Sequence, residues 1–508
     1  MPRPLFLSSQ PPDLSFLVLK SRHHALALLL GLSLAGCAVG PDYHRPDAPP
    51  VDRYTVQPLP AATVSARAAD GDTQRFMQGR DVPTRWWTTF GNAELTRRVN
   101  TALSHSPTIA SAQAALRQAQ ESANASRSGL FPSVDAAAGA TRGKQATAPF
   151  GGAFKFPPLT VYNTSVKVGY VFDLFGGTRR SIEAQAALAD YQRAQLEATY
   201  LTLAANVVTA SLQESSLREQ LRATGDILDI QRKSLKIAEQ QQQIGAKSLS
   251  DTLAVRTQLA TTEATLPPLR ARLAATRNQL ATYLGSTPAQ LELSPLTLDA
   301  ISLPQDIPVS LPSTLVDQRP DIRAASAQLH AASAGVGVAT AAMLPQITLS
   351  GSAGSQALRA GDLFSAGSGA WSLGLGLTQP LFHGDELRHR KRAAQAGLDK
   401  AVADWQQTVL LAFQNVADAL QALQYDAQGL AAQAIAESAA SQQLALTRQQ
   451  YQVGATGYLN LLDAQRSYQQ ARIALIQARA ARLSDTAALY AALGGGWRSS
   501  TQVASQKP

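Results

Sequence analysis

The chain has 508 residues, 45% of them hydrophobic and only 16% charged, with a mean hydropathy of −0.10. It is too long for one ordinary domain and is not a bundle of membrane-spanning helices. Its 45 basic and 36 acidic residues leave a scattered net charge of +9, and no basic run is interleaved with aromatics, which excludes the usual nucleic-acid footprint. One cysteine excludes a disulfide framework, the 7 histidines show no metal-ligand spacing, and aromatics at 6% suit long Ala-rich helices better than a large compact core.

Residues 1–36 read as a signal peptide of the lipoprotein kind. Lys20, Arg22, His23 and His24 precede an apolar run from Ala25 to Leu34, and Leu34-Ala35-Gly36 leads into Cys37. A basic flank, about ten apolar residues and a small-residue cleavage site make a secretory signal too short to span a bilayer. Cys37 stands where a bacterial lipobox places its thiol, which predicts a diacylglycerol on the sulfur and an N-acyl chain on the amine freed by cleavage. The alternative is a small buried cysteine beside an ordinary signal-peptidase site. Ala38 follows rather than Asp, so the inner-membrane retention signal is missing and the expected address is the bacterial outer membrane, with the chain extending into the periplasm. Residues 37–84 then read as a lipid anchor and an extended, proline-punctuated segment.

The rest of the chain repeats. Ser106-Pro107-Thr108-Ile109 aligns with Arg319-Pro320-Asp321-Ile322, and Leu174-Phe175-Gly176-Gly177 with Leu381-Phe382-His383-Gly384. Ile244-Gly245-Ala246 matches Val453-Gly454-Ala455, and Leu284-Gly285 matches Leu493-Gly494, each pair 209 residues apart. This register predicts an internal structural duplication: repeat 1 over 85–290, a linker over 291–310, repeat 2 over 311–496 and a tail over 497–508.

Each repeat changes period twice. Residues 93–128 and 315–342 have helical spacing. A β-hairpin is expected over about 130–174 and again over about 344–382, its first strands at about 132–141 and 345–354. Tyr162, Thr164, Val166, Val168, Tyr170 and Phe172 alternate with Asn163, Ser165, Lys167 and Gly169; Trp371, Leu373, Leu375 and Leu377 alternate with Ser372, Gly374 and Gly376. Such alternation marks either a half-buried soluble sheet or a lipid-facing barrel strand. Tilted by about 40°, Tyr162 to Tyr170 would cover roughly 20 Å, close to the ~25 Å apolar band of outer-membrane barrels.

From Thr178 the period becomes helical over about 67 residues, on the order of 100 Å at 1.5 Å per residue. Leu221, Leu228 and Leu235 recur every seven residues, as do Ile230, Ile237 and Ile244, and the second repeat offers Leu444 with Tyr451 and Leu446 with Val453. Turns near 245 and 454 lead into return segments over 250–284 and 459–493, with a kink expected at Pro267-Pro268. Gly139 to Lys144 resembles a phosphate loop one residue short, with Gln145 in the Ser/Thr place; a hairpin loop is the plainer reading. No nucleophile elbow or acid–base constellation is found, so an enzyme is not expected.

Two hairpins supply four strands, and four strands cannot close a barrel, the smallest using about eight. Open edges in lipid leave backbone groups unpaired, so inserted hairpins must share one barrel with other copies. The residues that carry a family likeness are Trp86-Trp87 with Phe90-Gly91, the run Leu311 to Ala325 around Arg319-Pro320-Asp321, Phe172-Asp173-Leu174-Phe175-Gly176-Gly177, and Tyr458 to Arg466. With these the chain resembles the TolC-like outer membrane factors, in the lipoprotein branch of OprM- and NodT-type efflux channels, over nearly all of its mature length.

The resemblance implies a mixed α and β membrane protein: a homotrimer sharing a twelve-stranded outer-membrane β-barrel, four strands per chain, continued by a long periplasmic α-helical barrel. It implies passive export of drugs or other toxic small molecules handed on by an inner-membrane pump of the RND or another type through a periplasmic membrane-fusion adaptor. No cofactor beyond the acyl chains on Cys37 is expected, and no nucleic acid. The likeness makes Leu459 and Asp463 line a closed periplasmic mouth, with Arg466 one turn on. Leu459 would form an apolar ring and Asp463 a carboxylate ring; the residues alone equally fit a packing leucine and a solvated i,i+3 pair. Tyr451 and Asp251 match positions that clamp neighbouring tips. The turns Gly245-Ala246-Lys247-Ser248 and Gly454-Ala455-Thr456-Gly457 resemble adaptor-contacting tips. Thr456 and Asn460 depart from relatives that carry an arginine and a second acid there. Two other readings stand beside efflux: an outer-membrane channel for type I protein secretion, and a lipid-anchored periplasmic coiled-coil adaptor, which would have no lipid-facing strands.

Overall fold

The computed structural model describes residues 38–144 and 157–496. The signal peptide, Cys37 and the tail 497–508 lie outside the described residues. In chain order the elements are β1 (Arg75–Gln78), α1 (Ala93–His105), α2 (Pro107–Arg127), β2 (Ser133–Gly143), β3 (Leu159–Phe172), α3 (Gly177–Gln243), α4 (Leu249–Glu263) and α5 (Leu266–Tyr283). They are followed by β4 (Asp306–Val309), α6 (Pro312–Gln318), α7 (Pro320–Ala341), β5 (Gln346–Ala357), β6 (Gly369–Thr378), α8 (Glu386–Gln452) and α9 (Tyr458–Ala492). The chain is a mixed α and β protein, mostly helical. Among the described residues no helix is long and apolar enough to cross a membrane.

Prolines set several boundaries. Ser106 and Arg319, each preceding a proline, share the backbone angles φ −67°, ψ 125°. A proline ring disfavours the helical conformation of the residue before it, so the helical stretches expected over 93–128 and 315–342 are each broken in two. Pro267 and Pro268 fall in the first turn of α5, where a proline gives up only an N–H that has no intrahelical partner, and Ala264 and Thr265 before them keep right-handed helical angles, so the first return path is interrupted at the expected place.

The chain divides into two units. The first comprises Met1–His44, Gln120–Leu188 and Leu329–Lys400. It holds a four-stranded antiparallel sheet in the order β2-β3-β5-β6, so β2 and β6 are edges. Pairing sorts this sheet into two faces. One carries the cross-strand rows Phe172–Ile347–Leu377, Tyr170–Leu349–Leu375, Val134–Val168–Gly351–Leu373 and Ala136–Val166–Ala353–Trp371. The other carries Ser133–Gly169–Ser350–Gly374, Asp135–Lys167–Ser352–Ser372 and Gly139–Asn163–Gln356. The apolar face is bare: Trp371 is 81% exposed and Leu373 72%. Of the phosphate-loop lookalike Gly139 to Lys144, residues Gly139 to Gly143 are regular paired strand, neither a cradle nor the hairpin loop expected there.

The second unit comprises Arg45–Ala119, Ala189–Gln328 and Ala401–Pro508. Its core gathers Trp86, Phe90, Leu95, Val99, Leu298, Ile307, Leu420 and Tyr490. β1 pairs in parallel with β4, which places ordered structure in both segments that sequence alone reads as extended or irregular. The fully buried Arg482 guanidinium secures this arrangement, donating to the carbonyls of Asp70 at 2.9 Å and Asp72 at 2.6 Å and to Thr63 Oγ1 at 3.1 Å. A buried guanidinium with several acceptors is a costly group to orphan, so Arg482 ties the N-terminal segment to α9.

Candidate functional site

Most of the residues singled out from sequence sit at the two helix turns. Gly245 has φ +74° and Gly454 φ +75°, a region that penalises a Cβ-bearing residue by about 1–2 kcal/mol. The caps match bond for bond. Ala246 N–H donates to Gln241 O and Ala455 N–H to Gln450 O, both at 2.8 Å; Gly245 N–H reaches Gln242 O at 3.0 Å and Gly454 N–H reaches Tyr451 O at 3.1 Å. These are left-handed helix terminators of one geometry.

Past the glycines the turns diverge. Ser248 Oγ accepts from the Asp251 N–H at 3.1 Å and donates to Asp251 Oδ2 at 2.9 Å, a reciprocal cap on α4. Asp251 is therefore engaged on its own helix, and no hydrogen bond joins it to Tyr451 among the described residues. In the second turn Gly457 occupies the cap position without a side-chain bond, and Thr456 Oγ1 accepts from Asn460 Nδ2 at 2.8 Å.

Lys247 joins the two turns. Its Nζ is buried without a hydrogen-bond partner and lies 3.9 Å from the ring centroid of Tyr458 and 5.1 Å from that of Tyr451. The two rings meet edge-on at 5.4 Å. An ammonium desolvated over aromatic faces is held by their quadrupoles. Beneath this cage lies a small core of Ala238, Val255, Leu461 and Leu462, and burial pushes the Tyr458 phenol up to about 12. Sequence reasoning names Tyr458 only as the start of the run Tyr458 to Arg466 and gives it no role of its own, because its contact with Lys247 arises across the two turns.

The first turns of α9 bury Tyr458, Leu461, Leu462, Ala464 and Gln465 and expose Leu459, Asp463 and Arg466. Asp463 has no ion-pair or hydrogen-bond partner among the described residues. Arg466 does not pair with it; its guanidinium donates to Gln258 Oε1 on α4 at 2.9 Å. The heptad rows also split. Leu235 and Leu444 pack on the small core, whereas Ile237, Ile244, Leu446 and Val453 are uncovered, Ile244 and Val453 by about four-fifths (79% and 80%).

A second constellation adjoins the position of Cys37. Val39 N–H donates to Phe175 O at 3.0 Å. Arg180 reaches Val39 O at 3.2 Å and Asp42 Oδ1 at 2.6 Å, and that pairing lowers the Asp42 carboxyl below its usual range. Gly40, at φ +100°, packs so closely that a Cβ would stand 2.4 Å from Gly337 Cα. Tyr43 stacks on His330 at 4.3 Å, and His330 Nε2 lies 2.8 Å from Glu183 Oε1. The first described residues are thus strapped to α3 and α7. No group of His, Cys, Asp and Glu among the described residues is arranged to hold a metal ion.

Comparison with known proteins gives a consistent picture. The sequence model of the outer membrane efflux protein family matches residues 99–286 and 311–495. The chain is 31% identical over 458 residues to the pyoverdine export outer membrane protein OpmQ of Pseudomonas aeruginosa, covering 88% of this chain and 95% of that one. It is 30% identical over 478 residues to the toluene efflux pump outer membrane protein TtgF of Pseudomonas putida, covering 93% and 97%. Among solved structures, the outer-membrane channel OprN superposes with a TM-score of 0.79 at 31% identity over 91% of this chain and all (100%) of that one.

Proposed function

The chain belongs to the outer membrane efflux protein family and works at the outer membrane, and on that premise we propose that it is the homotrimeric outer-membrane channel of a tripartite efflux system, taking small molecules from an inner-membrane pump of the RND type through a periplasmic adaptor. The observation that carries this reading is the four-stranded sheet with two unpaired edges, β2 and β6, and one apolar face. Such a sheet cannot enter lipid alone, because each unpaired backbone group there costs several kcal/mol. Three copies supply twelve strands, within the range that closes a barrel. The uncovered rows Ile237, Ile244, Leu446 and Val453 supply apolar seams for neighbouring helices.

In the trimer, Leu459 forms an apolar ring and Asp463 a carboxylate ring at the periplasmic mouth, with Arg466 braced on Gln258. Their common exposure on α9 supports this. Tyr451 and Asp251 belong to the clamp between tips, and the turns at 245–248 and 454–457 meet the adaptor. Cys37 carries the acyl chains, and the strap at Val39–Asp42 holds that anchor to the turn after β3. The matched caps and the two 67-residue helices α3 and α8 support the internal duplication. The pyoverdine and toluene relatives support small molecules rather than proteins as cargo. Mass measurement on the detergent-extracted protein, followed by planar-bilayer recording, tests the reading. A trimer with unitary conductance is expected, and a monomer that still conducts would remove its basis.

A further inference from the structure

Among the described strand residues of the four-stranded sheet, three are charged: Asp135, Arg142 and Lys167. Their placement is not random. Arg142 falls on the apolar face at the far end of β2, opposite Thr160. Asp135 and Lys167 fall on the polar face, directly opposite each other across β2 and β3. Their row runs on through Ser352 and Ser372, whose hydroxyl oxygens are 2.9 Å apart. One level of the polar face therefore holds one carboxylate, one ammonium and two hydroxyls. The row beside it, Ser133–Gly169–Ser350–Gly374, has no ionisable side chain.

We propose that Asp135 and Lys167 form a self-compensated charge ring in the lumen of the strand region, which lets that part of the pore pass cationic and anionic molecules alike. The proposal rests on the trimeric-channel reading above, since the polar face becomes a lumen only when the sheet closes around water. Three copies bring three carboxylates and three ammoniums to one level, each facing its opposite. Directly opposed residues of an antiparallel pair have Cβ atoms about 5 Å apart, shorter than the ~8 Å Debye length at physiological ionic strength. Compensation is therefore local, and the ring presents dipoles rather than net charge to a passing solute. An uncompensated ring of either sign would instead select by charge, as rings of carboxylates or of lysines do in ion pores. A conduit that must pass molecules of both signs gains nothing from such a filter. Either residue alone would impose one, so the two are specificity determinants only as a pair.

The test is the cation-to-anion permeability ratio from reversal potentials in a KCl gradient, recorded on full-length protein in planar bilayers. Asp135→Asn should shift the ratio towards anions and Lys167→Gln towards cations. Each shift should be about twofold or more, as expected for a charged ring in a wet pore. The double variant should return to the unsubstituted ratio. Singles that leave the ratio unmoved, or that move it in one common direction, overturn the proposal while leaving the channel reading intact. Unsubstituted protein that shows no unitary conductance overturns the channel reading and this proposal with it. Should a single variant fail to reach the outer membrane, the exchanged pair Asp135→Lys with Lys167→Asp keeps the cross-strand attraction and must conduct with the original ratio; an altered ratio there counts against the ring.

Discussion

The ammonium of Lys247 lies 3.9 Å from the ring centroid of Tyr458, so a cation from the α3–α4 turn is seated on an aromatic from the helix that follows the other turn. The contact joins the two helical hairpins at their turns.

Deleting that cation should loosen the turns. Lys247→Met keeps the apolar stem and removes about 1–2 kcal/mol of cation–π attraction. Local opening should rise roughly five- to thirtyfold, the population change such an energy produces. Amide hydrogen exchange over residues 244–252 of the detergent-solubilised protein measures it. Lys247→Arg should retain most of the protection, and unchanged exchange in the Met variant would show that the cage does not hold the turns.

On the first turns of α9, Asp463 is exposed and without a partner among the described residues, while its neighbour Arg466 donates to Gln258. A ring of three such carboxylates concentrates multivalent cations. Asp463→Ala should weaken block of single-channel current by divalent and trivalent cations by an order of magnitude or so, the scale of one lost charge site per chain. Equal block in both proteins would refute the ring.

Stability should also depend on pH through one carboxylate pair. Burial, then the neighbouring Asp485, pushes Asp426 on α8 up to about 7. Its unfolded value is near 3.9. Between about pH 4 and pH 7 the folded chain keeps a proton that the unfolded chain has released, so stability falls as pH rises through that window. Both carboxyls are only partly buried, and solvent screening reduces the effect to the order of 1–2 kcal/mol. Thermal unfolding at pH 5 and pH 8 should show the wild type losing stability at the higher pH and Asp426→Asn losing less. An identical loss in both would exclude this pair as the source.

Much was legible in the residues alone because it depends on local chemistry. Strand alternation at Tyr162–Phe172 and Trp371–Leu377, the turn glycines at 245 and 454 and the proline-free length of α3 are properties of short windows, and the structure shows strands, left-handed caps and a 67-residue helix there. The breaks at Ser106 and Arg319 were equally local and were overlooked, because helical periodicity carries across a proline that the backbone does not tolerate.

Other features depended on which distant residues meet. Periodicity placed Lys167 on the polar face of its strand, but only the register puts Asp135 opposite it. Likewise, β1 and β4 are four-residue strands far apart in sequence, too short to show alternation, and they exist because each completes the other's hydrogen bonds. Lys247, Tyr451 and Tyr458 are ordinary residues until two turns more than 200 positions apart are brought side by side. A chain's own order dictates its periods, its caps and its breaks, since these involve neighbours within one or two turns. Charge pairing, long-range buried contacts and cross-hairpin cages arise from three-dimensional proximity, which no single stretch of sequence encodes.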